Sequence, residues 1–415
     1  MQRNVRTVFA AMLVLAVGPF GHEVFAQQNL RRLPVKEYRD KMNAGWIGQM
    51  VGVAWGLPTE QKFKDIIPPE TVPPFRDTLI NEAFNQDDLY VEMTFLRSME
   101  EYGLDVLSRQ AGIDFANSKY ELWVANEAGR KNLRRGIAPP DSSHPKFNGY
   151  PVAIDYQIES DYSGLIAPGM PNIAIAMGEK FGRLMNYSDG IYAGQFIGAM
   201  YAEAFFESEP AKIVAAALKS IPAESMYAEM VRDVLQWHRQ NPAQWEKTWH
   251  QVSAKYRSPQ YNRGHLDVKL EGAFALIGLL YGNSDPDQTI IISMRCGGDS
   301  DCNPSSAAGV LCTALGMVKV PQRYYGKLDE KAVFSYTTYD FPGLLAVSEK
   351  LARQAVARSG GRVEKDADDD EVFIIPRQPP VPSKFEDSRR PGPIANSHFS
   401  AEEMTKIKVV DKPAK

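Results

Sequence analysis

The sequence predicts an all-α fold, and three observations support this prediction. First, apolar residues recur with helical spacing along most of the chain beyond residue 35. Second, proline or acidic residues begin several of these segments and glycine ends others, as is typical of helix termini. Third, the 415 residues are 44% hydrophobic and 24% charged, which is the composition of a globular protein with a large core.

The first 26 residues have the pattern of a secretory signal peptide. Arg3 and Arg6 give this segment a positive start, and a short apolar run at 8–17 follows them. The sequence "VFA" at 24–26 predicts cleavage after Ala26. The apolar run is too short to anchor the chain in a membrane. We therefore expect a mature protein that is periplasmic or secreted.

The predicted helices follow the signal peptide in order. Segment 36–53 places Tyr38, Met42 and Ile47 on one face, and its later turns carry small residues that favour close contact with another helix. Segment 190–207 is apolar on nearly every side, which predicts a central buried helix. The other predicted helices are 87–102, 111–134, 171–185, 210–220, 223–239, 242–256, 271–281, 287–294, 303–315 and a last one that begins at 341 and stops before Gly360.

Two parts of the chain depart from the helical pattern. Residues 136–164 are rich in proline, glycine and serine, which predicts a long loop of functional importance. The charge run "EKDADDDE" at 364–371 predicts a solvated linker, and the proline-rich stretch after it predicts an extended tail on the body. We therefore divide the chain into a signal peptide (1–26), a helical domain (27–361) and an acidic linker with a proline-rich tail (362–415).

Charge and cysteine content narrow the classes of partner. The formal charge is −4 without a basic stripe, so no nucleic-acid partner is expected. No later segment is long and apolar enough to predict a membrane span, and nothing indicates an oligomeric state. Three cysteines do not make a disulfide framework. Cys296 and Cys302 either pair or stay buried as free thiols.

Two acidic pairs stand at predicted helix starts. They are Asp87 and Asp88 in "NQDD", and Asp299 and Asp301 in "GGDSD". A single aspartate there is an ordinary cap, because free backbone N–H groups point towards it. Two like charges repel each other when buried unless a cation lies between them, and hard divalent cations prefer carboxylate oxygens. Capping and metal binding are both open at this point.

The order of four motifs resembles the ADP-ribosylglycohydrolase family. They are "AGWIGQMVGVAWGLPTE", which ends at Glu60, then "NQDDLYVEMTF", "SGLIAPGMP" and "CGGDSDCNPSSAAGVLCTALG". The "GGDSD" block is the most specific of them. The resemblance covers roughly residues 36–328, which is most of the predicted mature chain.

The resemblance implies a compact orthogonal multi-helix bundle with one or two divalent metals in a central cleft. These would be Mg²⁺ or Mn²⁺, with Ca²⁺ as a further candidate. Asp87, Asp88, Asp299 and Asp301 match the family's metal ligands, and Glu60 matches the glutamate beside the metals.

The resemblance also assigns roles to residues 160–164, which fall at the family's glycine-rich substrate loop. Ser160, Tyr162, Ser163 and Gly164 are candidate substrate-binding residues by this match, and Asp161 joins Glu60 as a candidate catalytic residue.

The chain departs from the family pattern next to the predicted metals. Gln86 and Cys302 stand where the family usually has threonine, and both become candidate substrate-binding residues. A thiol is a poor ligand for a hard ion, whereas a glutamine carbonyl can serve. The family's Gly-Asn-Gly substrate loop is also replaced, and "NYSDG" at 186–190 lacks a typical histidine. We expect a retained metal core and altered substrate recognition.

The predicted function is an exported, metal-dependent glycoside hydrolase. It would cleave an N- or O-glycosidic bond, of the ADP-ribosyl type or of another sugar glycoside, with metal-activated water. Its partner would be a small-molecule or glycan substrate. The alternative is a non-catalytic sugar- or nucleotide-binding protein on the same scaffold, suggested by the lost threonines. The sequence has no HExxH, paired CxxC or GxSxG motif, which argues against the corresponding enzyme classes.

Overall fold

A computed structural model describes residues 29–257 and 266–408. The predicted signal peptide at 1–26 lies outside the described residues. Helices make up most of the described chain, so the predicted all-α fold is confirmed. None of the described helices has the length and apolar content needed to cross a bilayer.

The elements are named here in chain order. The first half contains β1 (Leu30–Pro34), α1 (Val35–Gly56), α2 (Asp87–Tyr102), α3 (Ser108–Ala116), α4 (Val124–Arg134), α5 (Asp155–Ile158), α6 (Asp161–Leu165), α7 (Pro171–Lys180) and α8 (Asp189–Ala204). The second half contains α9 (Pro210–Ala217), α10 (Met226–Gln240), α11 (Trp245–Tyr256), α12 (Val268–Tyr281), α13 (Pro286–Arg295), α14 (Cys302–Leu315), α15 (Gln322–Tyr325), α16 (Phe341–Arg358), β2 (Arg362–Lys365), β3 (Glu371–Pro376) and α17 (Ala401–Lys406).

Helices α8, α12 and α14 form the centre of the bundle. Nearly every residue of each is buried, because these sequences are apolar or small all round. Helix α14 packs against both other central helices and against α1. The prediction of a central buried helix at 190–207 is confirmed by α8.

Glycines let α1 approach α14 closely. A Cβ atom at Gly48 would lie 2.5 Å from the backbone oxygen of Ala308, and one at Gly52 would overlap the backbone of Pro304. Gly56 makes the same kind of approach to the turn before α14. The predicted close contact of the small residues in 36–53 with another helix is therefore confirmed. This contact places the end of α1 next to the start of α14.

The predicted helix 111–134 is two helices, α3 and α4. The chain is extended at Trp123 (φ −123°, ψ 172°) and left-handed at Val124 (φ 40°) before α4 continues. The carboxylate of Asp155 accepts hydrogen bonds from the backbone N–H groups of Asn126 (2.8 Å) and Ala125 (3.3 Å). This cap from a distant residue begins a new helix at α4. The spacing of apolar residues within 111–134 does not reveal the break between α3 and α4.

Residues 362–376 form a β-hairpin rather than a solvated linker. Strand β3 pairs antiparallel with β1 on one side (Leu30 opposite Pro376) and with β2 on the other (Arg362 opposite Ile374). The charge run turns the hairpin, and Phe373 is buried against the helices. The sheet therefore joins both sides of the predicted boundary at residue 361.

The tail beyond β3 lies extended on the helical body. Asp141 accepts hydrogen bonds from the backbone N–H groups of Ala395 and Ser397, both at 2.8 Å. Farther along, Arg109 holds Glu403 of α17 with two hydrogen bonds of 2.8 and 2.5 Å.

Candidate active site

A cavity of about 300 Å³ brings the predicted site residues together. It lies where the end of α1, the start of α2 and the turn before α14 meet, and residues at the start of α4 and in α5 complete its lining. Its predicted lining residues are Glu60, Gln86, Asp87, Asp299, Asp301 and Cys302. Its other lining residues are Gln61, Asn85, Tyr90, Trp123, Val124, Asn126, Ile154, Asp155, Ile158 and Leu266.

Asp87 and Asp88 form the first turn of α2, after Gln86 in an extended conformation. The Asp88 backbone N–H donates to Asp87 Oδ1 at 3.1 Å. Asp88 is fully buried, and its Oδ2 accepts a hydrogen bond of 2.7 Å from the Ser305 hydroxyl. Asp88 Oδ1 has no hydrogen-bond partner among the described residues.

Asp299 and Asp301 lie in the turn between α13 and α14. Gly297 (φ 79°) and Gly298 (φ 68°) make this turn, in a backbone region that favours glycine. Asp299 Oδ1 accepts a hydrogen bond of 3.2 Å from the Gln61 side chain. Asp299 Oδ2 and Asp301 Oδ1 have no partner among the residues that the structure describes.

Glu271 of α12 holds this turn from below. Its Oε2 accepts hydrogen bonds from the Asp299 backbone N–H (3.1 Å) and from Asn303 Nδ2 (2.8 Å). A Cβ atom at Gly298 would lie 2.6 Å from the Glu271 carboxylate, so only glycine fits there. Burial raises the pKa of Glu271 to about 7.

Burial raises the pKa of the Asp88, Asp299 and Asp301 carboxyl groups well above the usual range. Repulsion among neighbouring carboxylates adds to this rise in all three. No lysine, arginine or histidine is present among the described residues that line the cavity. The ionised carboxylates therefore lack a protein cation beside them.

The ligand atoms fall into two groups that share Cys302. Atoms of Asp87, Asp88 and Cys302 lie within 4.8 Å of one another, and so do atoms of Asp299, Asp301 and Cys302. Hard oxygen donors with unpartnered buried atoms fit a hard divalent cation. Cys302 fits less well, because burial raises the pKa of its thiol and keeps it protonated. All three cysteines are free and buried, so the pairing of Cys296 with Cys302 is absent.

Glu60 lies at the rim of the cavity, exposed to solvent. The Thr59 and Ser300 hydroxyl groups are 2.8 Å apart, and the Gln61 backbone N–H donates to the Gly298 carbonyl at 3.1 Å. These bonds hold the end of α1 against the Asp299–Asp301 turn. Partial desolvation raises the pKa of Glu60, and the charge of Asp87 adds to this effect.

The predicted substrate loop at 160–164 is wrong as a structural description, because residues 161–164 belong to the buried helix α6 and Ser160 directly precedes it. Ser160, Asp161, Tyr162, Ser163 and Gly164 are all fully buried or nearly so, and none of them lines the cavity.

A buried acid explains why the segment is helical. The Glu92 carboxylate accepts the backbone N–H groups of Asp161 and Tyr162, each at 3.1 Å, and so caps α6 from α2. The Asp161 carboxylate accepts hydrogen bonds from the hydroxyl groups of Tyr201 (3.1 Å) and Ser306 (3.3 Å). Burial raises the pKa of Asp161 to about 8. Its position lends no support to the predicted catalytic role.

Sequence reasoning missed Glu271 and Asp155. Glu271 is the acidic residue of "VKLEGAFALIGLLY", a helix that is otherwise almost entirely apolar. An acid in such surroundings needs buried partners, so the pattern does contain a signal. Asp155 offers no comparable signal, because its position depends on contacts between distant segments.

The site has the character of a carboxylate-rich hydrolase centre in an all-α scaffold. The family model for ADP-ribosylglycohydrolase matches residues 34–360, so the chain belongs to the ADP-ribosylglycohydrolase family. Membership indicates a glycohydrolase-type activity, in a family that generally depends on metal.

One solved structure among the similar ones is described as an "ADP-ribosylglycohydrolase-related protein complex". It shares 16% sequence identity, and the match has a TM-score of 0.49 and covers 77% of this chain and 99% of that chain. No curated protein matches the sequence.

Proposed function

We propose that this protein is a metal-dependent glycoside hydrolase that acts on a small-molecule or glycan substrate. The observation that carries the proposal is the convergence of Asp87, Asp88, Asp299 and Asp301 on Cys302, which lines the cavity. Their ligand atoms lie within 4.8 Å of Cys302 in two groups, and three buried carboxylate oxygens have no partner among the described residues. Such a cluster is costly to bury without a cation.

The four aspartates would hold one or two divalent cations, with Mg²⁺ or Mn²⁺ favoured by their oxygen donors. When bound, the cation supplies positive charge that lowers the pKa of water and polarises sugar hydroxyl groups. The unpartnered oxygens of Asp88, Asp299 and Asp301 are the atoms available to it. Glu271 would keep Asp299 in place through the backbone hydrogen bond that it accepts.

Glu60 is the residue that we propose for proton transfer. It lines the cavity at its solvent-exposed rim, so it can exchange protons with water and still reach a bound substrate. Asp161 is hydrogen-bonded inside the core and does not line the cavity, so the structure favours Glu60 over it.

Export is part of the proposal. It is supported by the positive start, short apolar run and cleavage pattern of residues 1–26, which lie outside the described residues. We propose a periplasmic or secreted location on this ground. Fractionation of cells that express the full chain would test it, and retention of the uncleaved protein in the cytoplasm would contradict it.

The test of the activity uses simple glycosides and ADP-ribosylated compounds as two parallel substrate panels. Release of free sugar or ADP-ribose is measured before EDTA, after EDTA and after addition of Mg²⁺ or Mn²⁺. Asp299→Asn should lower kcat/KM about a hundredfold or more, because it removes a ligand of the cation. Asp368→Asn, in the exposed β-hairpin turn, is the matched control. Hydrolysis that survives both EDTA and Asp299→Asn contradicts the proposal.

Cys302 is the observation that favours the alternative of a non-catalytic binding protein. Its thiol lies in both ligand groups, where a hydroxyl would suit a hard cation better. Isothermal titration with sugars and with ADP-ribose, alongside the activity assay, separates the two functions. Cys302→Thr should tighten Mg²⁺ binding in either case. Ligand binding without turnover, in this variant as well, supports the binding protein.

A further inference from the structure

The cavity has two chemically different walls. One wall, from α1, α2 and the turn before α14, carries the carboxylates of Glu60, Asp87, Asp299 and Asp301. The other, from α4 and α5, carries four apolar or aromatic side chains together with Asn126 and Asp155. We infer that the substrate is an uncharged glycoside whose flat, apolar leaving group packs on Trp123. This inference rests on the proposed function and names the substrate class of that same site.

The charge of the cavity disfavours an anionic substrate such as ADP-ribose. Five acidic residues line it, and no lysine, arginine or histidine does so among the residues that the structure describes. Two divalent cations would bring four positive charges, which the four aspartate ligands balance. A diphosphate would therefore meet no unbalanced positive charge, and the carboxylate of Glu60 at the rim would repel it. A neutral glycoside has no net charge, so these carboxylates do not repel it.

The helix that replaces the predicted substrate loop supports the same conclusion. Backbone N–H groups of Asp161 and Tyr162 point to the buried carboxylate of Glu92, at 3.1 Å each. These groups are therefore already satisfied inside the core, and they are not available to phosphate oxygens in the cavity.

Trp123 presents an exposed aromatic surface in the lining of the cavity. The residue is 52% exposed, whereas Tyr90, which also lines the cavity, is only 4% exposed. Trp123 makes no ring contact with another aromatic residue in the described part of the chain. Ile154 and Ile158 continue the apolar wall beside it. An indole ring in this position suits the flat face of an aromatic group or the C–H face of a sugar.

The backbone next to Trp123 has a strained conformation. Val124, the next residue, has φ of 40°, which a β-branched residue rarely adopts. The hydrogen bonds from Ala125 and Asn126 to the Asp155 carboxylate maintain this conformation, and Asp155 and Asn126 also line the cavity. Such strain concentrates at functional sites, where it fixes a side chain in place. We assign Asp155 as the positioning residue for Trp123.

The size of the cavity agrees with this substrate class. A volume of about 300 Å³ lies at the lower end of the range for small-molecule sites. It accommodates one sugar ring on the carboxylate wall with a small leaving group on Trp123. A dinucleotide-sized ligand would have to extend beyond the cavity.

The test measures binding, so it does not depend on turnover. Fluorescence titration of the Mn²⁺-loaded protein compares phenyl glycosides with the methyl glycosides of the same sugars, and adenosine with ADP-ribose. We expect a phenyl glycoside to bind about tenfold more tightly than its methyl counterpart. Trp123→Ala should remove most of this preference, and Trp123→Phe should keep most of it. Tyr102→Ala, at an exposed aromatic residue outside the cavity, should change nothing.

Adenosine should bind more tightly than ADP-ribose, because ADP-ribose adds a charged diphosphate and a second ribose to the same nucleoside, and we expect the repulsion of the diphosphate to outweigh any contact of the added ribose. Tighter binding of ADP-ribose, or a phenyl preference that is unchanged in Trp123→Ala, overturns the inference. Asp155→Asn supplies an independent check, since it should weaken phenyl binding while far-ultraviolet circular dichroism stays native. Loss of the metal requirement for hydrolysis would instead contradict the proposed function, and it would leave these binding ratios untouched.

Discussion

Asp301→Asn should stabilise the metal-free protein and remove much of its response to divalent cations. Asp301 is buried beside Asp299, and repulsion from Asp299 contributes to its raised pKa. The substitution keeps the size of the side chain and removes one negative charge from the cluster. Without metal this relieves repulsion, and with metal it removes a ligand.

The size of the effect follows from the geometry. Ligand atoms of Asp299 and Asp301 lie within 4.8 Å of each other. Two unit charges at that separation interact with about 3 kcal/mol at an effective dielectric constant of about 20. The raised pKa means that the metal-free cluster is partly protonated, which reduces the gain to about 1–2 kcal/mol. For a chain of this length, that corresponds to a rise in Tm of about 1–3 °C.

The assay is thermal unfolding in EDTA and in Mg²⁺ or Mn²⁺. A cation at about 100 times its Kd should stabilise the wild-type protein by about 2.7 kcal/mol, and the variant by much less. Asp368→Asn in the exposed hairpin turn controls for removal of a carboxylate elsewhere. A lower Tm for Asp301→Asn in EDTA, or a wild-type Tm that does not respond to cations, would refute the reasoning.

Three further substitutions test the supports of the site. Gly52→Ala should lower the free energy of unfolding by about 1–3 kcal/mol, because the added methyl group overlaps the backbone of α14. Denaturant titration measures this loss. Gly149→Ala is the control, since there is open space around Gly149 and the substitution should cost little. Glu271→Gln should weaken Mn²⁺ binding about 10–100-fold by calorimetry, because an uncharged amide oxygen accepts the two hydrogen bonds from Asp299 and Asn303 more weakly than the carboxylate does; unchanged affinity would contradict its supporting role. The Arg109 guanidinium lowers the pKa of Glu403 to about 2. The contact therefore stabilises the docked tail fully at pH values above about 4.3, which is the usual pKa of glutamate in an unfolded chain. This stabilisation is lost as the pH falls towards 2. Glu403→Gln should therefore expose α17 to proteolysis at pH 7, and equal protection of variant and wild type would count against this contact.

Much of the fold was predictable because helical periodicity is a local property. The central helix α8, the small-residue face of α1 and the acidic starts of α2 and α14 all follow from residues within a few turns of one another. The break between α3 and α4 was not predictable, because the cap at Asn126 comes from Asp155 in a different segment. The hairpin at 362–376 was missed for the same reason, since its partner β1 lies more than 300 residues earlier.

In the candidate site, too, local features were predictable from the sequence and contacts between distant segments were not. The amino-acid sequence by itself determined which carboxylates are clustered in pairs, because Asp87–Asp88 and Asp299–Asp301 are neighbours in the chain. Only the tertiary structure decided which pairs meet, since the glycine contact of α1 with α14 brings Glu60 to the second pair. It also removed residues 160–164 from the cavity and put Trp123 on its wall. These positions depend on buried hydrogen bonds that the carboxylates of Glu92 and Asp155 accept from backbone N–H groups of other segments. Such bonds join parts of the chain that are far apart in sequence, so they leave no local pattern.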